Sequence, residues 1–173
     1  ERYAWVKARA ITGKANDIAA LEKIILPFVY RRYLDYGVID SLRNMHHQIR
    51  AEVIRQETRH PERGINVKLG RGGIREVEFL AQVFQLIRGG REAIFRDRST
   101  RKTLVSLAEK GILDQQIVER LMLAYTYLRD VEHRLQYLDD AQTHIFPANT
   151  EDQNIVAQMM GYADVIALNA VLV

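Results

Sequence analysis

The apolar positions of this chain recur three and four residues apart over most of its length, the period of helices that turn one face toward a core. The clearest run is Ile117, Leu121, Ala124, Leu128, Val131, Leu135 and Leu138, which alternates four and three without interruption. Such a heptad seam predicts one long helix, capped by Asp114, with knobs-into-holes packing against a nearly parallel neighbour. Ile74, Val77, Leu80, Phe84 and Ile87 mark a helix that closes at Gly89 and Gly90, and Val38, Leu42, Met45, Ile49 and Val53 mark a long one after Gly37. A further helix carries Ile18, Leu21, Ile25 and Phe28 on one face, with Asn16 or Asp17 as cap and Pro27 as a kink or a new start. Glu1 to Ile11 is helix-compatible and ends near Gly13. Ser99 caps a short helix from Thr100 that Gly111 terminates, Thr150 with Gln153 forms a capping box for one ending at Gly161, and an apolar segment follows. Arg91 to Arg98 reads as a charged connection, and His60 to Gly64 as a break. No strand pattern, repeat or low-complexity tract is present. The expected fold is all-α, an up-and-down helical bundle with extra helices, forming a single helical domain over residues 1–173.

One stretch departs from this helical regularity. Residues 66–80 carry three glycines in four positions, Gly70, Gly72 and Gly73, among the cations Lys68, Arg71 and Arg75, and run directly into the helix that starts at Ile74. Glycines allow positive φ and expose successive amides, and a helix start adds unpaired donors and partial positive charge. A loop of this kind suits a phosphate or carboxylate, with Lys68, Gly70, Arg71, Gly72, Gly73 and Arg75 as the anion-binding candidates. It matches neither standard phosphate loop. Position 75 is Arg where a dinucleotide fingerprint has its third glycine, and no Gly-Lys-Ser/Thr follows. A glycine-rich helix entry packed against a neighbour remains the alternative.

Composition narrows the class. With 47% hydrophobic and 27% charged residues, the 173-residue chain has the make-up of a globular domain large enough for a proper core. Its net charge of +3 comes from interspersed signs, which does not argue for nucleic acid, and none is expected as a partner. No cysteine is present, so disulfide and thiol chemistry are excluded, and no apolar run is long enough to predict a membrane span or leader. A cytoplasmic location is expected. Because the chain opens without an initiator Met and stops inside an apolar segment, it is expected to be a piece of a larger protein.

Candidate chemistry is sparse. None of His46, His47, His60, His133 and His144 is spaced to put two imidazoles and a carboxylate on one helical face, so no metal site is expected from them. Asp139 and Asp140 are adjacent, diverge on a helix, and read as a solvated helix end. No nucleophile elbow for a covalent hydrolase occurs. The Arg31, Arg32, Tyr33 to Arg43 region forms a second basic-aromatic face that reads equally as a solvated helix side. Glu76 and Glu78 fit a structural role in the first helical turn, where the dipole stabilises a carboxylate that Arg75 can orient.

Lys68-Leu-Gly-Arg-Gly-Gly-Ile-Arg-Glu-Val-Glu-Phe-Leu-Ala-Gln82, continued by Phe84 to Arg91, resembles the signature of the bacterial glutamine synthetase adenylyltransferase/adenylyl-removing enzymes. Glu1 to Arg9 and Phe28 to Met45 agree with the same family, in order. Ile74-Arg75-Glu76 is similar to the version in the adenylyl-removing half, where the adenylylating half usually has Thr-Asp at positions 75 and 76. The resemblance implies a helical domain of the nucleotidyltransferase substrate-binding type and a reaction in which inorganic phosphate removes AMP from adenylyl-tyrosine of glutamine synthetase, releasing ADP. It further implies Mg²⁺, ATP/ADP and phosphate in the intact enzyme, and glutamine synthetase and the PII signal protein as partners in nitrogen regulation. The family's Gly-Ser and Asp-x-Asp do not occur in this chain, so the catalytic palm is expected upstream and the fragment alone is expected to be inactive. No catalytic residue is then expected here, with Arg75 and Glu76 as supporting candidates. The rival expectation is a pure interaction or bracing module that docks glutamine synthetase or PII without contributing active-site groups.

Overall fold

A computed structural model describes residues 2–33, 37–59, 64–138 and 142–172, without the side chains of Val38, Glu57 and Leu172. The expectations that rest on His60 to Arg63, Asp139, Asp140 and the Val38 side chain lie outside these residues. The described elements are α1 (Arg2–Trp5), α2 (Ala15–Val29), α3 (Gly37–Arg59), α4 (Ile74–Arg88), a single 3-10 turn (Ala93–Arg96), α5 (Thr100–Glu109), α6 (Gln115–Leu138), α7 (Thr150–Met159) and α8 (Val165–Leu172). Among the described residues the extended pairing is one isolated antiparallel bridge, Asn66 to Ile145, so the all-α expectation holds. The chain divides into two compact units, Glu1–Arg43 with Glu78–Met122 and Asn44–Val77 with Leu123–Val173.

In the first unit α1 packs on α2, and α5 packs on the 3-10 turn. Val6, Val29, Phe95, Leu104, Leu107 and Val118 are buried there. Phe95 lies in the stretch that reads as a charged connection, yet it is wholly buried and anchors the 3-10 turn. The first helix is shorter than its sequence suggests. After Trp5 the amides of Val6 and Ala8 donate to carbonyls three residues back, those of Tyr3 and Trp5, while Lys7 donates to the Arg98 carbonyl and to Thr100 Oγ1 and Arg98 Nε donates to the Ala8 carbonyl at 2.7 Å. Burial lowers the Lys7 pKa, against the pull of Glu78 and Asp97. The α2 cap is Lys14, in extended conformation and without a side-chain bond, so Asn16 and Asp17 fall inside the first turn. Pro27 sits inside α2, two residues from its end. Ser99 caps α5 as expected, accepting from the Lys102 amide at 3.3 Å. Asp97 accepts from the Ser99 amide and from Lys102, which holds its carboxyl below the ordinary range.

The second unit has a core of Val67, Val131, Leu135, Phe146, Val156, Ala157 and Leu168. Its helices α7 and α8 pack together, and Asn154 Oδ1 ties them by accepting from the Val165 amide at 3.0 Å. The α7 cap is Asn149, one residue before the expected Thr150, and its side chain accepts from the Asp152 amide at 2.8 Å. Asp114 caps α6 as expected, accepting from the amides of Gln116 and Ile117.

Two periodicity expectations need correction. On α4 the buried positions are Ile74, Val77, Ala81, Gln82, Gln85 and Leu86, whereas Leu80, Phe84 and Ile87 are half-buried; Gln85 is kept inside by donating to the Asp97 carbonyl. On α6 only Val131 and Leu135 of the heptad seam are fully buried, and Ile117 and Ala124 are exposed. The reason is the cover. The C-terminal half of α6 packs with residues of α7, α8 and the segments around Val67 and Phe146 in the core of the second unit. Most of α3 beyond Leu42 is also exposed, Ile49 and Ile54 included.

Phe95→Ala should cost about 3–5 kcal/mol by urea unfolding, the range for deleting a buried aromatic ring, and Ile117→Ala less than about 1 kcal/mol because that seam position faces solvent. Equal costs would contradict this burial pattern.

Candidate functional site

The glycine loop is built by hydrogen bonds that close on themselves. Asn66 Oδ1 accepts from the amides of Lys68 and Leu69 at 3.1 and 2.9 Å, an Asx turn, and the Asn66 carbonyl accepts from the Gly70 amide at 2.8 Å. The Gly73, Ile74, Arg75 and Glu76 amides donate to the carbonyls of Gly70, Val67, Lys68 and Gly73 at 3.0–3.1 Å. Glu76 Oε2 takes the Gly72 amide at 3.2 Å. Gly72 has φ +73°, and a Cβ on Gly73 would stand 2.8–2.9 Å from the carbonyls of residues 67, 68 and 70. Glycine at 73 thus lets three carbonyls converge on the start of α4 and satisfy its donors. The amides expected to face an anion are turned inward, so the cationic side chains are what the loop has to offer one.

Those cations are not equivalent. The bridge to Ile145, with Val67 N donating to the His144 carbonyl at 3.0 Å and Phe146 N to the Ile65 carbonyl at 2.8 Å, brings Lys68 beside His144 and α6. Lys68 Nζ lies 3.2 Å from Glu132 Oε1 and 3.2 Å from His144 Nε2. Arg129 Nη1 lies 2.5 Å from Glu132 Oε2, and His144 Nδ1 is 3.1 Å from Glu132 Oε1. Glu132 is only 1% exposed. Its Oε1 is close to Lys68 and His144 but out of line for hydrogen bonds, so its attraction to the Lys68 ammonium is mainly coulombic. Burial first, then Lys68, Arg129 and Arg75, lower the His144 pKa against the pull of Glu132. With the imidazole neutral, the tautomer protonated on Nδ1 leaves Nε2 to accept from Lys68.

Lys68 is therefore engaged with a buried carboxylate. Gly70 is buried in the turn, and Glu76 closes it, with Arg50 Nε 3.8 Å from its other oxygen. Arg75 is exposed in the first turn of α4 and close enough to act on His144. Arg71 is exposed and, with Gly72 and the buried Gly73, lines a cleft of about 670 Å³. Glu78 and the Arg31 to Arg43 face belong to the first unit. There Arg91 lies 6.0 Å over the Tyr33 ring and donates to the Arg32 carbonyl at 3.2 Å, while Arg43 pairs with Asp40 at the surface.

Sequence reasoning missed Glu132, Arg129 and His144 as a group. The Arg129 and Glu132 spacing was readable as a helical i,i+3 pair. What hid the cluster is that Lys68 and His144 are brought to it by a two-residue bridge between segments with no strand pattern.

The comparisons with known proteins agree with the resemblance. This chain belongs to the family described as GlnD PII-uridylyltransferase, whose model matches residues 43–171. It is 52% identical to the bifunctional glutamine synthetase adenylyltransferase/adenylyl-removing enzyme of Ralstonia nicotianae, over 99% of this chain and 20% of that protein. It is also 52% identical to the enzyme of that name from Aromatoleum aromaticum, over 99% of this chain and 18% of the relative. For the one from Neisseria meningitidis serogroup B the figures are 49%, 94% and 17%. The chain thus corresponds to a fragment of such an enzyme and spans about a fifth of the length of these curated relatives.

The lowered His144 pKa fixes the sign of a pH effect. Above about pH 6.5, the ordinary histidine value, folded and unfolded chains both hold a neutral ring. As pH falls through that value the unfolded chain takes up a proton that the folded one refuses, so stability drops until the lowered folded pKa is reached and then levels off. Urea unfolding from pH 7.5 down to 5 should show this loss in the wild type and a shallower one in His144→Gln. Equal slopes in both would refute the assignment.

Proposed function

We propose that this chain is the helical domain of the adenylyl-removing half of a longer bifunctional glutamine synthetase adenylyltransferase. In that protein it supports attack of inorganic phosphate on the adenylyl-tyrosine of glutamine synthetase, which breaks the tyrosine–phosphate ester and releases ADP and the free tyrosine. The carrying observation is identity of about half the residues, over nearly the whole chain, to enzymes whose names state both activities. The uridylyltransferase description of the family model is the broader likeness. The arginine-glutamate pair at 75 and 76 supports the choice of half.

Within this reading the residues of the chain divide the work. Glu132, Lys68 and His144 hold the glycine loop to α6. Glu76 closes the loop, and Arg71 and Arg75 offer charge to phosphate oxygens or to acidic groups on the protein substrate. Mg²⁺ does not fit the groups on hand. Glu132, the buried carboxylate, is ringed by Lys68 and Arg129, and among the described residues no three His, Asp or Glu side chains converge. The reading therefore gives Mg²⁺ and the nucleotide to a palm elsewhere in the longer protein, gives PII a role in regulating it, and leaves this chain inactive by itself. The inward-turned loop amides favour a second reading, a domain that docks a partner without touching the reacting phosphate.

Arg75→Ala in the full-length enzyme separates the two. On the first reading adenylyl removal falls at least about tenfold, the scale of one lost charged contact, with adenylyl addition and melting temperature unchanged. Unaltered removal would leave only the docking role, and loss of addition in place of removal would assign the chain to the other half.

A further inference from the structure

Glu132 Oε1 is shared by two nitrogen-bearing side chains that also face each other. Lys68 Nζ and His144 Nδ1 stand 3.2 and 3.1 Å from that one oxygen, and His144 Nε2 stands 3.2 Å from Lys68 Nζ. Each ring nitrogen therefore has a set neighbour, an anion at Nδ1 and a cation at Nε2. Only the neutral ring with its proton on Nδ1 suits both, because a second proton, on Nε2, would be directed at the Lys68 ammonium.

Counting charges shows which contact yields when that second proton arrives. Arg129 Nη1 already lies 2.5 Å from the other Glu132 oxygen, so one buried carboxylate has two permanent cations beside it before the ring is charged. The charged groups that act on His144 are Lys68 from the loop, Glu132 and Arg129 from α6, and Arg75 from the start of α4. An imidazolium among them is a cation in excess, and burial adds to its cost. Arg129 sits three residues from Glu132 on the same helix and stays with it. His144 is tied by its backbone, since its carbonyl accepts from the Val67 amide at 3.0 Å. The Lys68 ammonium, on a flexible four-carbon stem and partly exposed, is the group that can move to water.

We propose that His144 is a positioning residue that works as a proton-operated latch: its neutral ring keeps Lys68 against Glu132, and a proton on the ring releases Lys68 and loosens the glycine loop that carries Arg71 and Arg75. The bridge between Asn66 and Ile145 remains as the hinge. The proposal rests on the functional reading above and gives that reading a regulation, in which adenylyl removal falls as the loop loosens in acid. With the loop loosened, the ring takes a proton near the ordinary histidine value, about pH 6.5. The closed loop refuses it until a lower pH, so acidification through that window favours the loosened form.

The test uses the full-length enzyme. Amide hydrogen exchange of the peptide from Asn66 to Glu76 is read by mass spectrometry at about pH 7.5 and about pH 5.5, either side of the ordinary histidine value, and corrected for intrinsic rates. In the wild type the loop amides should lose protection severalfold in acid while α7 and α8 keep theirs. His144→Gln, which cannot be charged, should hold the loop equally at both pH values, and His144→Lys, charged throughout, should leave it loose already at the higher one. Equal acid loss in the wild type and the Gln variant overturns the latch, as does a Lys variant protected like the wild type. Loss spread over α7 and α8 overturns it too, because the proton would then be unfolding the whole unit. In the reaction, the drop in removal between the two pH values should be larger in the wild type than in His144→Gln by about tenfold, the scale of one charged hydrogen bond. Equal drops overturn the regulatory role. Loss of addition in place of removal in Arg75→Ala would defeat the functional reading alone, and the exchange result would still decide the latch.

Discussion

A carboxylate taken out of water is costly unless cations stand close to it, and Glu132 is the group that imposes this constraint here. It sits beside the core residues Val131 and Leu135 on α6, where a side chain of that helix turns inward whatever its polarity. Arg129, a turn earlier, supplies one partner from the same helix. The other partners, Lys68 and His144, come from segments far away in sequence and reach Glu132 only if the chain crosses α6 at that point. Burying the charge and fixing the glycine loop are therefore one event.

The loop's chemistry follows from that attachment. With Lys68 tied down, its carbonyl and those of Val67 and Gly70 converge on Gly73 and take the first donors of α4. A helix start whose donors are satisfied by its own preceding turn has little left to give an anion through its backbone. The cations of the loop that stay exposed are Arg71 and Arg75.

Much of this was legible in the residues. Helical period gave the class of fold and the position of α3, α4 and α6, α5 was placed by its Ser99 cap and Gly111, and the Ser99 and Asp114 caps followed from side chains that accept amides two and three residues on. Where the reading slipped, a tertiary partner had overruled a local preference. The segment after Trp5 is held by bonds to Arg98 and Thr100, Phe95 is buried inside a run that looks charged, and Gln85 is buried on α4 by donating to a carbonyl. At the site, the glycines and cations were visible as a departure from helical pattern. Which amides face inward was not, because it depends on carbonyl positions that Gly73 permits. Glu132 was invisible for a related reason, since nothing in the spacing of a lone glutamate on a helix says that Lys68 and His144 will meet it.

The central claim is that the Glu132 and Lys68 pair holds the glycine loop on α6. A double-mutant cycle on unfolding free energy, with Glu132→Gln, Lys68→Met and the pair, measures it most directly. The account predicts a favourable coupling of about 1–3 kcal/mol, with the double variant less damaged than the sum of the single ones. Additive effects, with a coupling below about 0.5 kcal/mol, would contradict it.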